Sequence, residues 1–493
     1  MSKLFGNSRS AAHAAGSHMS RPAEKKESPG EIWDDAAWDA LFDNSPEEPQ
    51  EQEPPLREEE PQEQELLYYE DEPVKNPPRE KKKQPHAFLR GIATVLLLLM
   101  LAYAFVVWVP FGPVRKLRNM YIETALSTMN HRWLATSFFP KSVVEEVRQG
   151  MIDAQAAQEG LISDWNSNET AQTEEVTVVV DIPDIPVDPS ADLNTENDPA
   201  EEAFFQLFWE LDREQTLKWL EKNPGLLKNG WAHLYANEAG LNDDGLPIET
   251  TMGEQVLAID AYNQVLLVRV KGTGYRGVLA IAKDPARLSL QVSQNIGSMG
   301  QYAGTIAQKH NGLLAITGSG FWDEDGHGKG GAVTGWARCD GADYGQHIYQ
   351  YGYKRFELRE DNLLYITDTS AKVNPSTTDA MEFSPALIVD GDIVVDRNCG
   401  WTAVNPRACL GQSSRYEILM LAIEGRQTAS LGTDVIECAK ILKAHDCAQA
   451  MNMDGGTSAM LWYDGEPVIR CSNQALPEGR LLPDAWVYAK RGN

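Results

Sequence analysis

The pattern of apolar and polar positions divides this chain into contrasting stretches. From Gly91 to Val114 no residue is charged, and the run TVLLLLMLAYAFVVWV within it has no polar face. A helix needs roughly 20 residues to cross a bilayer core, so the pattern predicts one transmembrane helix, bounded at 87–114. A signal peptide would sit at the N-terminus and end at a small-residue cleavage site. This run starts well inside the chain and is followed by Pro110, Gly112 and Pro113. A core helix of a soluble domain would show a polar side.

Before the run, residues 1–86 are rich in Pro and Glu and poor in aliphatic residues, a composition that predicts a disordered acidic tail. Ile32, Trp33, Ala37, Trp38, Leu41 and Phe42 form one island that would cluster on a helical face. It is either a segment at 32–42 that folds on a cytoplasmic protein partner or a chance cluster in a disordered tail. After the run, 115–165 is rich in helix formers, with Met151, Ile152, Ala156 and Leu161 at helical spacing, and predicts a helical stalk. Proline and like charge in 166–202 predict an extended acidic linker. Helical spacing resumes in AFFQLFWELDREQTLKWLEKNPG, which opens a lead-in at 203–273 and stops at Asn223, Pro224 and Gly225.

Period-two and continuous apolar runs dominate from there on. Gln255–Lys271 and Tyr275–Ala282 read as strands separated by KGTG. That turn matches the nominal dinucleotide fingerprint at Gly272, Gly274 and Gly277, but the apolar run VLAIA continues as strand where the fingerprint needs a helix, so a hairpin is expected. LLAITGSGFW is a strand entering a glycine turn, Asp390-Gly391 a hairpin turn, and RYEILMLAIEGR a buried strand ending at Glu424, Gly425 and Arg426. Thr433 is positioned to cap a helix through VIECAKILKAH; AQAMNM and AMLWYDGEPVIR are strands on either side of Asp454-Gly455-Gly456-Thr457-Ser458. The expected fold class is α+β, a mixed β-sheet with packed helices, preceded by the tail and the single span.

Charge sharpens the division. The chain has 493 residues, 44 Lys plus Arg and 72 Asp plus Glu, for a net charge of −28. Glu31–Val74 holds 17 acids and one base, and Met151–Asp212 holds 16 acids and no base, so the remainder carries +4. The acidity therefore belongs to tail and linker, and the folded region is nearly neutral. No basic patch dominates, so no nucleic-acid partner is expected. Lys75, Arg79, Lys81, Lys82, Lys83 and Arg90 before the span outweigh Arg115, Lys116 and Arg118 after it. This bias places the N-terminus in the cytoplasm and the C-terminal domain outside.

Candidate chemistry concentrates in the outer region. A carboxylate at a strand end followed by two glycines, Asp454-Gly455-Gly456, leaves backbone N–H groups open to an oxyanion, although the tripeptide is also an ordinary turn. Asp323, Glu324, Asp325, Gly326, His327 and Gly328 form an acidic loop whose oxygens would suit calcium. It lacks EF-hand spacing and reads more simply as a solvated loop, so no cofactor or metal is assigned. The nine His are dispersed without zinc spacing. Gly456–Met460 lacks the last glycine of a nucleophile elbow. All six Cys fall in the outer region, consistent with an oxidising compartment or with small buried thiols; Cys438 with Cys447, and Cys399 with Cys409, are the near pairs.

The blocks GYRGVLAIAKDPARLSL, LLAITGSGFWDEDGHGKGG, FSPALIVDGD, NPRACLGQ, LAIEGRQTASLGT and AMNMDGGTSAMLWYDGEPV, in this order, resemble the phosphodiester glycosidase family over 274–490. The resemblance implies a hydrolase that cleaves a sugar from the phosphate of a sugar 1-phosphodiester. The whole build is similar to membrane-anchored bacterial members, with cell-envelope or exopolysaccharide glycan as the expected substrate. Carried over by position, it implies Asp454 as catalytic carboxylate. Arg407, Arg426 and Arg480 would bind phosphate, a role suited to planar guanidinium groups, and Asn452, Gly455, Gly456 and Ser458 would line the site. The family's first block has an asparagine-glycine turn where this chain has Thr317, Gly318, Ser319 and Gly320, so Thr317 and Ser319 stand in for the amide as candidate donors. Glu424 is either the second carboxylate of a two-carboxylate scheme or a partner of Arg426. A non-catalytic glycan-binding or assembly module on the same fold is the alternative, because activity belongs to the site and not to the fold.

Overall fold

The computed structural model describes residues 85–128, 131–165, 199–223, 233–235, 245–322, 328–348, 352–396 and 401–492. The chain divides into two units, and 1–61 lies wholly outside the described residues; everything below belongs to Gln62–Asn493. The expected tail, its 32–42 island, most of the acidic linker, the loop 323–327 and Cys399 also lie outside them.

Helix α1, Pro85–Trp108, carries the charge-free run and ends at Trp108, short of the expected Val114. Pro110 removes a helical N–H donor, and a new helix begins at Gly112 with Pro113 in its first turn, where that missing donor costs nothing. Leu89–Trp108 is a 20-residue stretch, exposed on nearly every side, long and apolar enough to cross a membrane. Three further helices follow: α2 (Gly112–Leu126), α3 (Trp133–Phe138) and α4 (Lys141–Ala156). They share a small core of Ile122, Ala125, Ala135, Val143, Val144 and Val147. The inner face of α4 is therefore its first two turns and Ala154, whereas Ala156 is exposed.

The segment after α4 lies along the β domain. Gln158 Oε1 accepts from the Ala386 N–H and its Nε2 donates to the Val394 carbonyl. The Ser163 N–H donates to the Ile366 carbonyl, and Trp165 Nε1 donates to that of Leu364.

The lead-in is two helices: α5 (Pro199–Leu207) and α6 (Arg213–Lys222). The chain breaks between them because Asp212 caps α6, accepting from the Gln215 N–H at 2.8 Å. Helix α6 stops at Asn223, as its sequence predicts.

Among the described residues nineteen strands form three sheets, and every pairing is antiparallel. The largest has nine: β1 (His233–Tyr235), β2 (Gln255–Asp260), β3 (Val265–Gly272), β4 (Tyr275–Ala282), β12 (Ala386–Val389), β13 (Asp392–Ile393), β14 (Arg407–Ser413), β15 (Ile418–Ile423) and β16 (Cys447–Asn452), in the order 1-2-3-4-15-14-16-12-13. The second joins β5 (Leu288–Val292), β6 (Gly312–Thr317), β17 (Leu461–Tyr463), β18 (Glu466–Pro467) and β19 (Asp484–Ala489). The third joins β7 (Trp336–Cys339), β8 (Ala342–Gly345), β9 (Lys354–Arg359), β10 (Leu364–Asp368) and β11 (Thr377–Phe383). The α+β expectation holds.

The expected strand 255–271 is a hairpin, β2–β3, whose turn includes Gln264 in the left-handed region. Within KGTG, Thr273-Gly274 is the two-residue hairpin turn between Gly272 and Tyr275, so the glycine triplet does not form the dinucleotide fingerprint. Asp390-Gly391 and Asp464-Gly465 both have positive φ at both positions, the type I′ pattern that matches the twist of the flanking strands.

Alternation explains how the large sheet is covered twice. Val265 and Leu267 face a core shared with Leu314, Ile316, Phe356 and Trp486 of the other sheets. Leu266 and Val268 face Phe204, Phe208 and Leu220 of the lead-in and the helix α8 (Val435–Ala444), which packs Val435, Ile436, Ala439 and Leu442 there. One further helix, α7 (Ala303–Lys309), covers the second sheet. Asp434, not Thr433, caps α8: its carboxylate accepts from the Glu437 N–H at 2.8 Å, one residue further on than expected. Cys339, Cys409, Cys438, Cys447 and Cys471 are buried free thiols. Cys438 has Cys409 as its thiol neighbour, while the Cys447 thiol points to the Gln412 and Gln449 carbonyls.

Candidate active site

Antiparallel pairing brings the predicted residues to one end of the large sheet. Arg407, first in β14, is opposite Ile423, last in β15, and Cys409 is opposite Asn452, last in β16. The chain leaving β15 carries Glu424 and Arg426, and the chain leaving β16 carries Asp454, so residues far apart in sequence converge at that edge. The glycine turn after β6 joins them: the Asp454 N–H donates to the Gly318 carbonyl at 3.2 Å.

The two central arginines are neighbours. Arg426 has φ of 57°, an uncommon left-handed conformation for a side chain with a Cβ, and this aims its guanidinium across the Asp454 turn. A Cβ built on Gly456, itself at φ +60°, would stand 3.3 Å from Arg426 Nη2, so glycine is what lets the turn lie against the guanidinium. Arg426 Nη2 donates to Asn405 Oδ1 at 3.0 Å. Arg407 donates from Nε to the Thr433 carbonyl and from Nη2 to the Ala403 carbonyl. Crowding by protein and then the charge of Arg407 pull the Arg426 guanidinium below its usual range. Among the described residues no carboxylate forms an ion pair with either arginine.

Arg480 is held elsewhere on the rim. It donates to the Gly328 carbonyl at 3.0 Å and lies 4.6 Å from the centre of the Phe321 ring. Burial raises the Cys471 thiol, while the nearby charges of Arg426 and Arg480 lower it, which places both arginines around that residue.

Glu424 is engaged at both oxygens. Oε2 accepts from Arg276 Nε at 2.7 Å and Oε1 from the Arg470 N–H at 3.0 Å, with the residue 3% exposed. Its arginine partner is thus Arg276, not Arg426. The Thr317 hydroxyl is also committed, donating to the Ser458 carbonyl and accepting from the Met460 N–H. The Ser319 N–H donates to Asp484 Oδ1 at 2.6 Å, while Ser319 Oγ is buried without a hydrogen-bond partner. Asn452 donates to the Ser384 carbonyl, and its Oδ1 is likewise buried and unpartnered. Gly455 and Gly456 are half-exposed, and Ser458 is buried beneath them.

Four contributors were not singled out by local pattern. Tyr353 has its phenol pushed up to about 12, by burial first and by the charge of Asp454 second, so it lies within electrostatic reach of that carboxylate. Its ring meets Phe383 edge-on, and a Cβ on Gly320 would touch that Phe383 ring at 2.8 Å. Asp484 props the glycine turn; burial raises its carboxyl to about 6, against hydrogen bonding from Ser319. Asn405 links Arg426 to the loop before β14. Glu123, on α2, bonds that same loop. Of these, only Asp484 left a trace, as the lone acid opening the apolar run DAWVYA.

This arrangement offers an anion two guanidinium groups within electrostatic reach of each other, at the same sheet end as the Asp454 turn, in a site walled by glycine turns and aromatic rings. Among the described residues no cluster of His, Cys, Asp and Glu is suited to a metal ion. Residues 310–489 match the family model described as phosphodiester glycosidase. Three solved structures are similar over part of the chain. The catalytic domain of zebrafish N-acetylglucosamine-1-phosphodiester alpha-N-acetylglucosaminidase, auto-inhibited by its pro-peptide, is 17% identical, covers 46% of this chain and 82% of its own, and superposes with a TM-score of 0.38. A Synechocystis protein is 12% identical, over 48% of this chain and 63% of its own, with a TM-score of 0.31. A Burkholderia pseudomallei protein described as exported is 14% identical, over 44% and 74%, with a TM-score of 0.32. Among curated proteins none matches.

Proposed function

We propose that the chain is a membrane-anchored hydrolase acting outside the cytoplasm, cleaving the sugar–phosphate bond of sugar 1-phosphodiesters in cell-envelope or exopolysaccharide glycans. The observation that carries this is the pair Arg407 and Arg426, close enough for their charges to interact, with Arg426 lying against the Asp454 turn and no ion-paired carboxylate on either among the described residues. Placing two like charges together is unfavourable unless an anion joins them, and a phosphodiester presents two oxygens in the geometry that guanidinium groups bind. The family match of 310–489 supports the same chemistry.

In this reading the anomeric C–O bond breaks, its electron pair leaves with the phosphate, and water supplies the hydroxyl that ends on the sugar. Arg407 and Arg426 stabilise the charge that grows on the departing phosphate, so little general-acid help is required. Asp454 stabilises the oxocarbenium character or activates the water. Glu424, with both oxygens bonded, fits the ion-pair role better than that of a second reacting carboxylate. The span 89–108 and the basic bias before it support a cytoplasmic N-terminus.

The test is turnover of sugar 1-phosphodiesters by the purified chain, with and without chelator, alongside Asp454→Asn. Wild type should release a phosphomonoester, and the variant should lose at least about a hundredfold in kcat while keeping its fold by circular dichroism. Unchanged turnover in the variant would remove Asp454 from the chemistry. Glycan binding without any turnover by wild type would replace the hydrolase with a binding or assembly module.

A further inference from the structure

The helix that follows the apolar span reaches the arginine pair through an unbroken chain of hydrogen bonds, although it lies far outside the family domain. Glu123 of α2 is 3% exposed. Its Oε1 accepts from the Thr402 N–H at 2.7 Å and the Ala403 N–H at 3.2 Å, and its Oε2 accepts from the Thr402 hydroxyl at 2.6 Å. The next residue, Thr124, accepts at Oγ1 from the Val404 N–H at 3.1 Å, and one turn on from Glu123, Ser127 Oγ accepts from Asn405 Nδ2 at 3.2 Å. Three residues of one helix end thereby fix four consecutive residues of a loop that has no strand partner of its own except the single bridge of Asn405 to Thr433.

That loop is what holds the guanidinium groups. Ala403, fixed through its N–H by Glu123, offers its carbonyl to Arg407 Nη2 at 2.5 Å. Asn405, fixed through Nδ2 by Ser127, offers Oδ1 to Arg426 Nη2 at 3.0 Å. Each arginine is thus one hydrogen-bonded residue away from α2. A carboxylate that accepts three hydrogen bonds from one loop, from the partly buried Thr402 and the buried Ala403, sets its backbone more tightly than water would.

We propose that Glu123, with Thr124 and Ser127, is a positioning residue of the phosphate site, so that the juxtamembrane helix is a working wall of the active site. The proposal rests on the function proposed above. Position and charge make opposite predictions here. Glu123 also lies near enough to Arg407 for their charges to interact, so simply deleting its negative charge would strengthen anion binding. Loss of the loop anchor would weaken it. Gln at this position can still accept both backbone N–H bonds and donate to the Thr402 hydroxyl, whereas Ala can do neither.

The experiment uses the full chain in detergent micelles and titrates inorganic phosphate by calorimetry, with amide hydrogen exchange followed at 402–405. For Glu123→Ala the expected result is phosphate affinity at least tenfold weaker, faster exchange at Thr402 and Ala403, and a larger change in KM than in kcat for a phosphodiester. Glu123→Gln should bind phosphate as well as wild type or more tightly. The double variant Thr124→Val, Ser127→Ala, which leaves Glu123 in place, should weaken phosphate binding as well. If Glu123→Ala and the double variant bind phosphate like wild type, or Glu123→Ala binds more tightly, the proposal is overturned while the hydrolase reading stands. If wild type itself binds no phosphate, the arginine pair is not a phosphate site and both fall.

Discussion

Asp484 shows how a single buried group couples the site to pH. Its carboxyl is fully buried, Oδ1 takes the Ser319 N–H, and Oδ2 has no hydrogen-bond partner. Burial outweighs the opposing influence of the Ser319 hydroxyl and N–H, and the group is raised from 3.8 to about 6. An acid raised on folding is more protonated in the native than in the unfolded chain between the two values. Its contribution to stability is fully present below the unfolded value and is lost as pH rises through the folded one. A shift of this size corresponds to a few kcal/mol at most. Glu123, raised to about 7 by burial against its hydrogen bonds, acts in the same direction over a window that reaches neutrality. The thermal midpoint should fall between pH 4 and pH 7, and fall less in Asp484→Asn, which keeps an acceptor for Ser319 and has no charge to bury. Differential scanning calorimetry across that range checks this, and an identical slope in the variant would place the pH dependence in other groups. None of this was legible in DAWVYA beyond the presence of one acid, because a pKa depends on what closes over the residue and not on its neighbours in sequence.

Among elements, the hairpin turns and the buried strands were the most legible, since Asp-Gly pairs and continuous apolar runs impose their conformation locally. The lead-in was harder. Its apolar spacing reads as helix throughout, but a buried ion cluster needs the chain to turn between α5 and α6. Lys283, following β4, donates to Glu210 and to Glu417, the latter at 2.7 Å, with all three buried. Trp209 Nε1 adds a bond to Glu417 at 3.0 Å. The two carboxylates hold the Lys283 ammonium above its usual range despite its burial, and it is what makes two adjacent acids tolerable there. Removing one partner of a buried pair leaves uncompensated charge, which typically costs about 3–5 kcal/mol. Lys283→Met should therefore lower unfolding free energy by about that amount, measured by urea titration, and should loosen the lead-in helices first. A change under about 1 kcal/mol would show that water already shares the cluster.

At the scale of the whole molecule, the segment 112–165 is bonded to the β domain at both ends, through Glu123 to the 402–405 loop, through Gln158 to the β12–β13 edge of the large sheet, and through Ser163 and Trp165 to β10 of the third sheet. Helical spacing alone suggested a stalk, a spacer between span and domain. The packing instead puts residues close behind the span against the site. A chain beginning at residue 199 would leave the Ala386 and Ile366 N–H groups without the acceptors they have now. Buried donors left unmade cost about 1–3 kcal/mol each. Such a chain should melt several degrees lower than the full one and bind phosphate more weakly, as thermal melts and calorimetry would show; equal behaviour would make the segment a passive spacer after all.

The sequence by itself determined the parts that depend on neighbours: one apolar stretch long enough for a membrane, a domain of alternating strands and capped helices, and an Asp-Gly-Gly turn at a strand end. Antiparallel pairing decided the rest. It set the start of β14 beside the ends of β15 and β16, which brought Arg407, Arg426 and Asp454 together and gave Glu424 to Arg276. It also made partners of Glu123 and the loop before β14, more than 270 residues apart. Such contacts follow from register and from which buried donor meets which acceptor, quantities that no local pattern in the chain encodes.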